Sequence, residues 1–281
     1  MNYFLDTEFL EGTQKTFLGI SKPTIDLISI GLVCENGNKY YAISKDFNLK
    51  EAWNRYDLKP DINNGGMKKE YWIRENVLKL IFIEFSINNL TKDYKGVKST
   101  TAYGIYLHEE VEKLLKQDFT YKNFKKLINK YGKTNKQIGT EIKDFIYKTT
   151  TNLSFQSTEN QIKYWGKEVP IKFYGYYADY DWVVFCWLFG KMIDLPKGFP
   201  KYCIDLKQEL DRRFPNGKYG TTVVIPKLVN GTLLAELSPK TEYKEINIKE
   251  HPNYPKQNNE HNALSDAKWN FELFQFLQGV S

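Results

Sequence analysis

The first forty-four residues alternate between apolar and polar positions in a way that predicts a sheet. Residues 2–6 (Asn-Tyr-Phe-Leu-Asp) form a short apolar run that closes on a carboxylate. Residues 25–33 form a second run, in which Ile28, Ile30 and Leu32 alternate with Ser29 and Gly31. Period-two alternation marks a strand with one face on a core. Residues 39–44 form a third run after the turn Glu35-Asn36-Gly37-Asn38, so the second and third strands read as a hairpin. Residues 51–83 read as helical in part, broken at Asn63-Asn64-Gly65-Gly66. Residues 136–148 carry Ile138, Ile142, Phe145 and Ile146 at helical spacing. Residues 172–177 read as a further strand, and 181–190 as a helix with almost no polar face, hence buried. A short helix is expected over 206–214. Residues 215–258 are rich in Pro, Gly and Asn, with one β-like run at 221–225. A closing amphipathic helix over 262–277 sets Leu264, Ala267, Phe271, Phe274 and Leu277 to one side.

That order of elements predicts an α/β fold, a mixed β-sheet flanked by helices. The 281 residues read as a single domain with two insertions: a Lys- and Tyr-rich helical one at 84–132 and a loop-rich one at 215–258. Hydrophobic residues make up 41% of the chain and charged residues 26%, so a packed globular core is expected. The net charge is +6, and residues 91–149, with 13 Lys against 7 acids, carry all of it. Such a stretch is either a solvated helical face or a diffuse attraction for a polyanion; it contains no Arg for bidentate phosphate clamps. Aromatic residues reach 16%, which core packing explains and base stacking would also use. Cys34, Cys186 and Cys203 have no metal-ligand spacing, and their number and apolar flanks fit free thiols in a reducing compartment. No apolar run approaches membrane-spanning length, and the N-terminus lacks the basic region of a signal peptide. The expectation is a soluble cytoplasmic protein with no membrane partner.

Three separated places carry carboxylates in settings that invite chemistry. Asp6-Thr7-Glu8 follows the first apolar run, and in a strand residues i and i+2 share a face. Two acids so close repel unless a cation sits between them. Tyr180-Asp181 opens the apolar helix, where an acid is also a plain N-cap; Asp179 competes for the role, and Asp181 is preferred for its expected place at the helix start. His261-Asn262-Ala263-Leu264-Ser265-Asp266 sets an imidazole five residues before an acid, with four residues between them, although an acid in a first helical turn also suits the helix dipole. Each piece alone reads as ordinary surface or capping chemistry. Together they offer four carboxylates and one imidazole. All-oxygen donors suit Mg²⁺ or Mn²⁺ rather than zinc. Carboxylate clusters can hold two such ions about 3.5–4 Å apart across a phosphodiester. A neutral imidazole, with its ordinary pKa of about 6.5, can take a proton from the attacking water.

In this order the motifs resemble the DEDDh 3′–5′ exonucleases of the ribonuclease H-like fold. The resemblance rests on Tyr3-Phe4-Leu5-Asp6-Thr7-Glu8-Phe9, Tyr180-Asp181 and His261-Asn262-Ala263-Leu264-Ser265-Asp266-Ala267. Within the family the chain looks most like the small bacterial and phage exoribonucleases described as polyadenylate-specific or mycobacterial-type. They share Ile28-Ser29-Ile30-Gly31 and Tyr40-Tyr41-Ala42 in the second and third strands. The likeness covers 1–50, 136–148, 170–214 and 255–278. The second motif departs from many members, with Tyr177-Ala178-Asp179 where Asn or His often stands. The resemblance implies that Asp6, Glu8 and Asp266 ligate one metal ion, that Asp6 bridges to a second held by Asp181, and that His261 is the general base. It implies that Thr7, through its backbone, and Phe9, by packing on a base, approach the terminal nucleotide, with Tyr180 and Asn262 beside them. It further implies a bacterial or phage-infected cytoplasm and nucleoside 5′-monophosphate products.

The leading expectation is therefore a two-metal (Mg²⁺ or Mn²⁺) 3′–5′ exonuclease of single-stranded nucleic acid, RNA in preference to DNA. That preference comes from the resemblance alone, since no residue is recognisable as a reader of the 2′-hydroxyl. The alternatives are an exodeoxyribonuclease of replication or repair, a catalytically silent nucleic-acid-binding module, and a nuclease that cuts internally. The silent module is disfavoured because all four acids and His261 are present. The basic stretch would extend the path of the strand or, since many relatives pair, form a homodimer surface.

Overall fold

Strand β1 (Asn2–Lys15) is the axis of the fold. It runs antiparallel to β2 (Ser21–Cys34), which pairs in turn with β3 (Lys39–Ile43). On its other edge β1 takes β6 (Lys172–Gly175) in parallel, and β7 (Ile204–Asp205) extends β6. The result is a mixed five-stranded sheet in the order β3-β2-β1-β6-β7. The computed structural model describes residues 1–15, 21–90, 118–152, 170–225, 228–229, 232–233 and 240–279.

The pleat of β1 sorts its side chains between two helical layers. Tyr3 and Leu5 point to one face, where they pack with Ile138, Ile142 and Ile146 of α4 (Asn135–Asn152) and Phe185 of α5 (Asp179–Trp187). Phe4 points to the other face, against Phe271 and Phe274 of α7 (Ala263–Gly279), with ring centroids 5.0 and 5.1 Å away. Asp6 and Glu8 have the parity of Phe4, so the pleat turns them toward the α7 layer. Between β7 and α7 lies α6 (Leu206–Arg213), whose first turn is capped by Asp205.

The backbone of β1 is left unpaired on one side just where the acids sit. The carbonyl of Met1 accepts from the amide of Lys172 at 3.0 Å, so odd-numbered residues turn their backbone groups toward β6. The β6 ladder ends at Phe4↔Tyr174. Beyond it, Leu5 O and Thr7 N need partners, because a buried peptide group without one costs free energy. Side chains supply them: Asn270 Nδ2 donates to Leu5 O at 2.9 Å, and Asp181 Oδ1 accepts from Thr7 N at 2.8 Å. The end of one short strand thus pulls α5 and α7 in beside β1.

Several elements differ from the sequence expectation. The apolar run 2–6 predicts a strand that stops at Asp6, but β1 pairs with β2 as far as Lys15↔Ser21, with a bulge between Glu8 and Phe9. The acids therefore lie inside a strand. Residues 51–83 contain α1 (Leu49–Asn54), a hairpin of β4 (Asp57–Pro60) and β5 (Met67–Glu70), and one π-helical turn (Arg74–Leu78) leading into α2 (Lys79–Leu90). The hairpin turns at Gly65 and Gly66, both with positive φ, and its almost wholly exposed strands leave no apolar alternation to read. The helix expected at 181–190 begins at Asp179 and keeps an exposed edge at Val183 and Trp187. In the region read as loop-rich, β8 (Lys218–Ile225) pairs antiparallel with β11 (Lys240–Asn247). Two further strand pieces, β9 (Leu228–Val229) and β10 (Thr232–Leu233), pair with each other. Tyr243, Lys244 and Glu245 of β11 are exposed, three consecutive positions with no buried side to mark a strand.

Of the predicted 84–132 insertion, residues 91–117 lie outside the described residues, as does part of the basic 91–149 stretch. Helix α3 (Tyr121–Tyr131) is described, and it buries Phe124, Leu127 and Ile128 beside Ala52 of α1 and Leu78 and Ile81. All three cysteines are free thiols, with Cys34 and Cys186 buried. Among the described residues no helix is long and apolar enough to cross a membrane.

Gly31 pairs with Asp6 across β1 and β2, and a Cβ there would lie 2.2 Å from Ala263 O and 2.5 Å from Leu264 Cα. The first turn of α7 can approach the sheet only because this side chain is missing. Gly31→Ala is expected to destabilise the fold by about 3 kcal/mol, the upper end of an overpacking cost, because the obstacle is backbone. Urea denaturation checks this, and a loss of a few tenths of a kcal/mol would contradict it.

Candidate active site

The candidate side chains converge where β1 passes the first turns of α5 and α7. One oxygen from each of Asp6, Glu8 and Asp266 lies within 4.8 Å of the others. These three acids, with Thr7, Phe9, Tyr176, Tyr177, Asp181, Gln257, His261, Trp269 and Asn270, line a cavity of about 270 Å³. Asp181 and Asp266 are buried, and Asp6 and Glu8 are half-buried.

Two of the acids, Asp181 and Asp266, are held by hydrogen bonds from their neighbours. Asp181 Oδ1 accepts from both the backbone N–H and the hydroxyl of Thr7, at 2.8 and 2.5 Å. Asp266 Oδ1 accepts from Gln257 Nε2 at 2.9 Å, and its Oδ2 from the backbone N–H of His261 at 2.9 Å. His261 itself lies in the left-handed region (φ 68), which His, like Asn and Asp, enters more often than other side chains. Asn262 then starts α7: its side-chain oxygen accepts from Ser265 N at 3.0 Å, the bond an N-cap makes. The imidazole of His261 packs edge-to-face on the indole of Trp72, with centroids 4.7 Å apart. Asp205 joins the starts of α5 and α6, accepting from Ala178 N at 3.1 Å and Lys207 N at 2.6 Å.

Residues expected from sequence divide accordingly. The structure brings Asp6, Glu8, Asp181, Asp266 and His261 into one cavity, with Thr7 and Phe9 in its wall. Asp181 is the third residue of α5 rather than its cap, and Asp179 is exposed. The N–H of Thr7, expected to meet a nucleotide, is already bonded to Asp181. Tyr180 and Asn262 do not line the cavity. Tyr180 instead stands edge-to-face against Phe9 at 5.7 Å, and Asn262 is buried as the cap of α7 with its amide on Glu84. Sequence reasoning missed Tyr176, Tyr177, Gln257, Trp269 and Asn270. Trp269 and Asn270 stand three and four positions after Asp266, the helical spacing that shares its face, so they were recoverable. Gln257 sits in irregular chain and carries no such signal.

Burial raises the proton affinity of the acids, and for Asp6 and Glu8 the neighbouring acids raise it further. Burial, then the charges of Asp181, Glu8 and Asp266, holds the Asp6 carboxyl well above the usual carboxylate range. Burial, then Asp266 and Asp181, pushes Glu8 up to about 8. Burial raises Asp181 to about 6, against the pull of the Thr7 hydrogen bonds. Asp266 is raised by burial, against the bonds from Gln257 and His261. Between the ordinary value of 4.5 and about 8, the folded chain keeps a proton on Glu8 that the unfolded chain has released. Stability conferred by the neutral acids is thus present at low pH and lost as pH rises through that window. In chelator, the melting temperature by scanning calorimetry is expected to fall from pH 5 to pH 8. Alanine at Glu8 should flatten the decline, and a melting temperature that rises across this range would contradict the coupling.

No protein-family model matches the chain. Over 64 residues, 22% of its length, it is 42% identical to a 3′–5′ exoribonuclease of Mycobacterium tuberculosis strain CDC 1551 / Oshkosh. The match to the 3′–5′ exoribonuclease of strain ATCC 25618 / H37Rv has the same identity and extent. The chain spans about a third of the length of these curated relatives, 33% in each case. Over that stretch it is similar to a 3′–5′ exonuclease.

Proposed function

We propose that the chain is a metal-dependent 3′–5′ exonuclease of the DEDDh type on a ribonuclease H-like sheet. It removes nucleoside 5′-monophosphates from single-stranded nucleic acid, RNA in preference to DNA. One observation carries the reading: Asp6, Glu8 and Asp266 meet within 4.8 Å in a cavity that also holds Asp181 and His261. The 64-residue likeness to a named 3′–5′ exoribonuclease supports the polarity and the choice of RNA.

The donors fit hard divalent cations. Three converging carboxylate oxygens with raised proton affinity are what Mg²⁺ or Mn²⁺ binds, and among the described residues no Cys or second His lines the cavity. Asp6, Glu8 and Asp266 would hold one ion, and Asp6 with Asp181 a second. Bound there, the ions supply Lewis-acid stabilisation of charge on the phosphodiester. The chain's own residues do the rest. Thr7 fixes one oxygen of Asp181, and Gln257 with the His261 amide fixes both oxygens of Asp266, so the acids are oriented before substrate arrives. A ring nitrogen of His261 takes a proton from water as the water oxygen bonds to phosphorus and the 3′-oxygen of the preceding nucleotide departs. Phe9, braced by Tyr180, packs on the terminal nucleotide.

Digestion of 5′-labelled RNA and DNA oligomers with Mg²⁺ or Mn²⁺ tests this directly. The expected result is a ladder that shortens from the 3′ end, faster for RNA, and vanishes with chelator. Internal fragments appearing first, or faster decay of DNA, would contradict polarity and sugar preference respectively. Asp6→Ala should remove turnover while the fold persists, and His261→Ala should lower kcat by about 10²–10⁴-fold, the contribution of a general base. A fully active Asp6→Ala protein would end the assignment.

A further inference from the structure

The backbone of His261 is held by its N–H, which donates to Asp266 Oδ2 at 2.9 Å. Its imidazole is held differently. A catalytic imidazole is commonly oriented by a hydrogen bond to the ring nitrogen that does not take the proton. Among the described residues neither ring nitrogen of His261 has such a partner. The ring packs instead on the indole of Trp72, with centroids 4.7 Å apart and planes at 74°, a geometry in which aromatic rings attract.

Trp72 stands on a fixed support. It opens the helical run that passes through the π turn (Arg74–Leu78) into α2, and its carbonyl accepts from Asn76 Nδ2 at 2.9 Å. Val77, Leu78, Ile81 and Phe82 of that run are buried in one core cluster with Ala52 of α1 and Phe124 of α3. A π turn takes up one extra residue, which rotates the residues before it by about 100° relative to an uninterrupted α-helix. That rotation sets the direction in which Trp72 leaves the run. The same run reaches the site a second time, because Glu84 of α2 accepts from the side-chain amide of Asn262. Two consecutive residues are thus braced from one element, His261 by its ring and Asn262 by its amide. Trp72 is 41% exposed, so core burial does not explain an indole there. It does not line the acid cavity either, so its connection to that cavity runs through His261.

From this geometry we infer that Trp72 is a positioning residue for the general base: its indole fixes the side-chain torsions of His261 so that a ring nitrogen faces the attacking water. Packing on the ring, unlike a hydrogen bond, occupies neither nitrogen, so orientation alone decides which one meets the water. Orientation is costly to lose, since a reacting group misplaced by about 1 Å can slow a reaction by about 10²-fold. The inference rests on the exonuclease reading and deepens it, by naming what aims the base.

The test is a double-mutant cycle on hydrolysis of a short 5′-labelled single-stranded RNA with Mn²⁺. It compares the unaltered protein with Trp72→Leu, Trp72→Phe, His261→Ala and the combined Trp72→Leu/His261→Ala. Leucine keeps apolar bulk without a ring, and the melting temperature checks that the fold holds. Trp72→Leu is expected to lower kcat by about 10–100-fold and to change KM by less than about twofold. Trp72→Phe, which restores a ring, should regain most of that loss. In the His261→Ala background Trp72→Leu should change kcat by less than about twofold, because the base it aims is gone. A readout independent of turnover is the imidazole proton signal of His261, one of three His in the chain and identified by its loss in His261→Ala. The ring current of the indole should displace that signal, and Trp72→Leu should move it back. If RNA is degraded but Trp72→Leu raises KM at unchanged kcat, lowers kcat equally with and without His261, or leaves the imidazole signal in place, Trp72 does not aim the base and the exonuclease reading survives. If the unaltered protein degrades no RNA or DNA oligomer, the exonuclease reading falls and this inference falls with it.

Discussion

Acids crowded into a space with little water repel one another, and much of this molecule is arranged to keep them there. Asp6 and Glu8 come from one face of β1, Asp266 from the first turns of α7, and Asp181 from the first turn of α5. Left to electrostatics alone these elements would separate or the acids would stay protonated; burial raises the proton affinity of all four, and the neighbouring acids raise that of Asp6 and Glu8 further. What opposes it is packing and directed hydrogen bonding. The aromatic and aliphatic layers on both sides of β1 fix the strand, and Gly31 lets α7 settle on β2. Asn270 and Asp181 bind the backbone that β6 leaves unpaired.

This arrangement gives the site its position. In a sheet made wholly of long strands, Leu5 O and Thr7 N would be consumed by the next strand. Because β6 pairs only with Asn2–Phe4, the same groups become anchor points for side chains on two different helices. The opening this creates is the cavity. Thr7 is therefore best understood as a strut between β1 and α5, since its N–H and hydroxyl are both committed to Asp181.

What could be read from the sequence follows from which features carry a periodic signal. The α/β order, the hairpin of β2 and β3, and the sharing of a face by Asp6 and Glu8 were legible from short apolar runs set off by turns. But β1 and β2 are buried on both faces, and the helix bearing Asp266 buries Trp269, Leu273 and Phe276 outside the stripe its spacing marks, with Leu264, Phe271 and Phe274 only half-buried. The β4–β5 hairpin is almost wholly exposed and left no alternation to find, and of the β8–β11 ribbon only the run 221–225 within β8 was legible. Asp181 and Asp179 stand two apart near one helix start, and spacing alone does not distinguish them; burial does, because only Asp181 turns into the cavity. Asn262 looked like a site residue because it follows His261, whereas its geometry is that of a helix cap. Gln257 binds Asp266 from irregular chain nine positions away, a relation that only the folded chain creates.

The central claim is that Asp6, Glu8 and Asp266 form a cage for a divalent cation. The most direct measurement is anomalous diffraction from crystals of the protein soaked in Mn²⁺. The account predicts an anomalous peak between those three carboxylates, with Asp181 beside it. Manganese bound only elsewhere, with the acid pocket empty at saturating concentration, would contradict it.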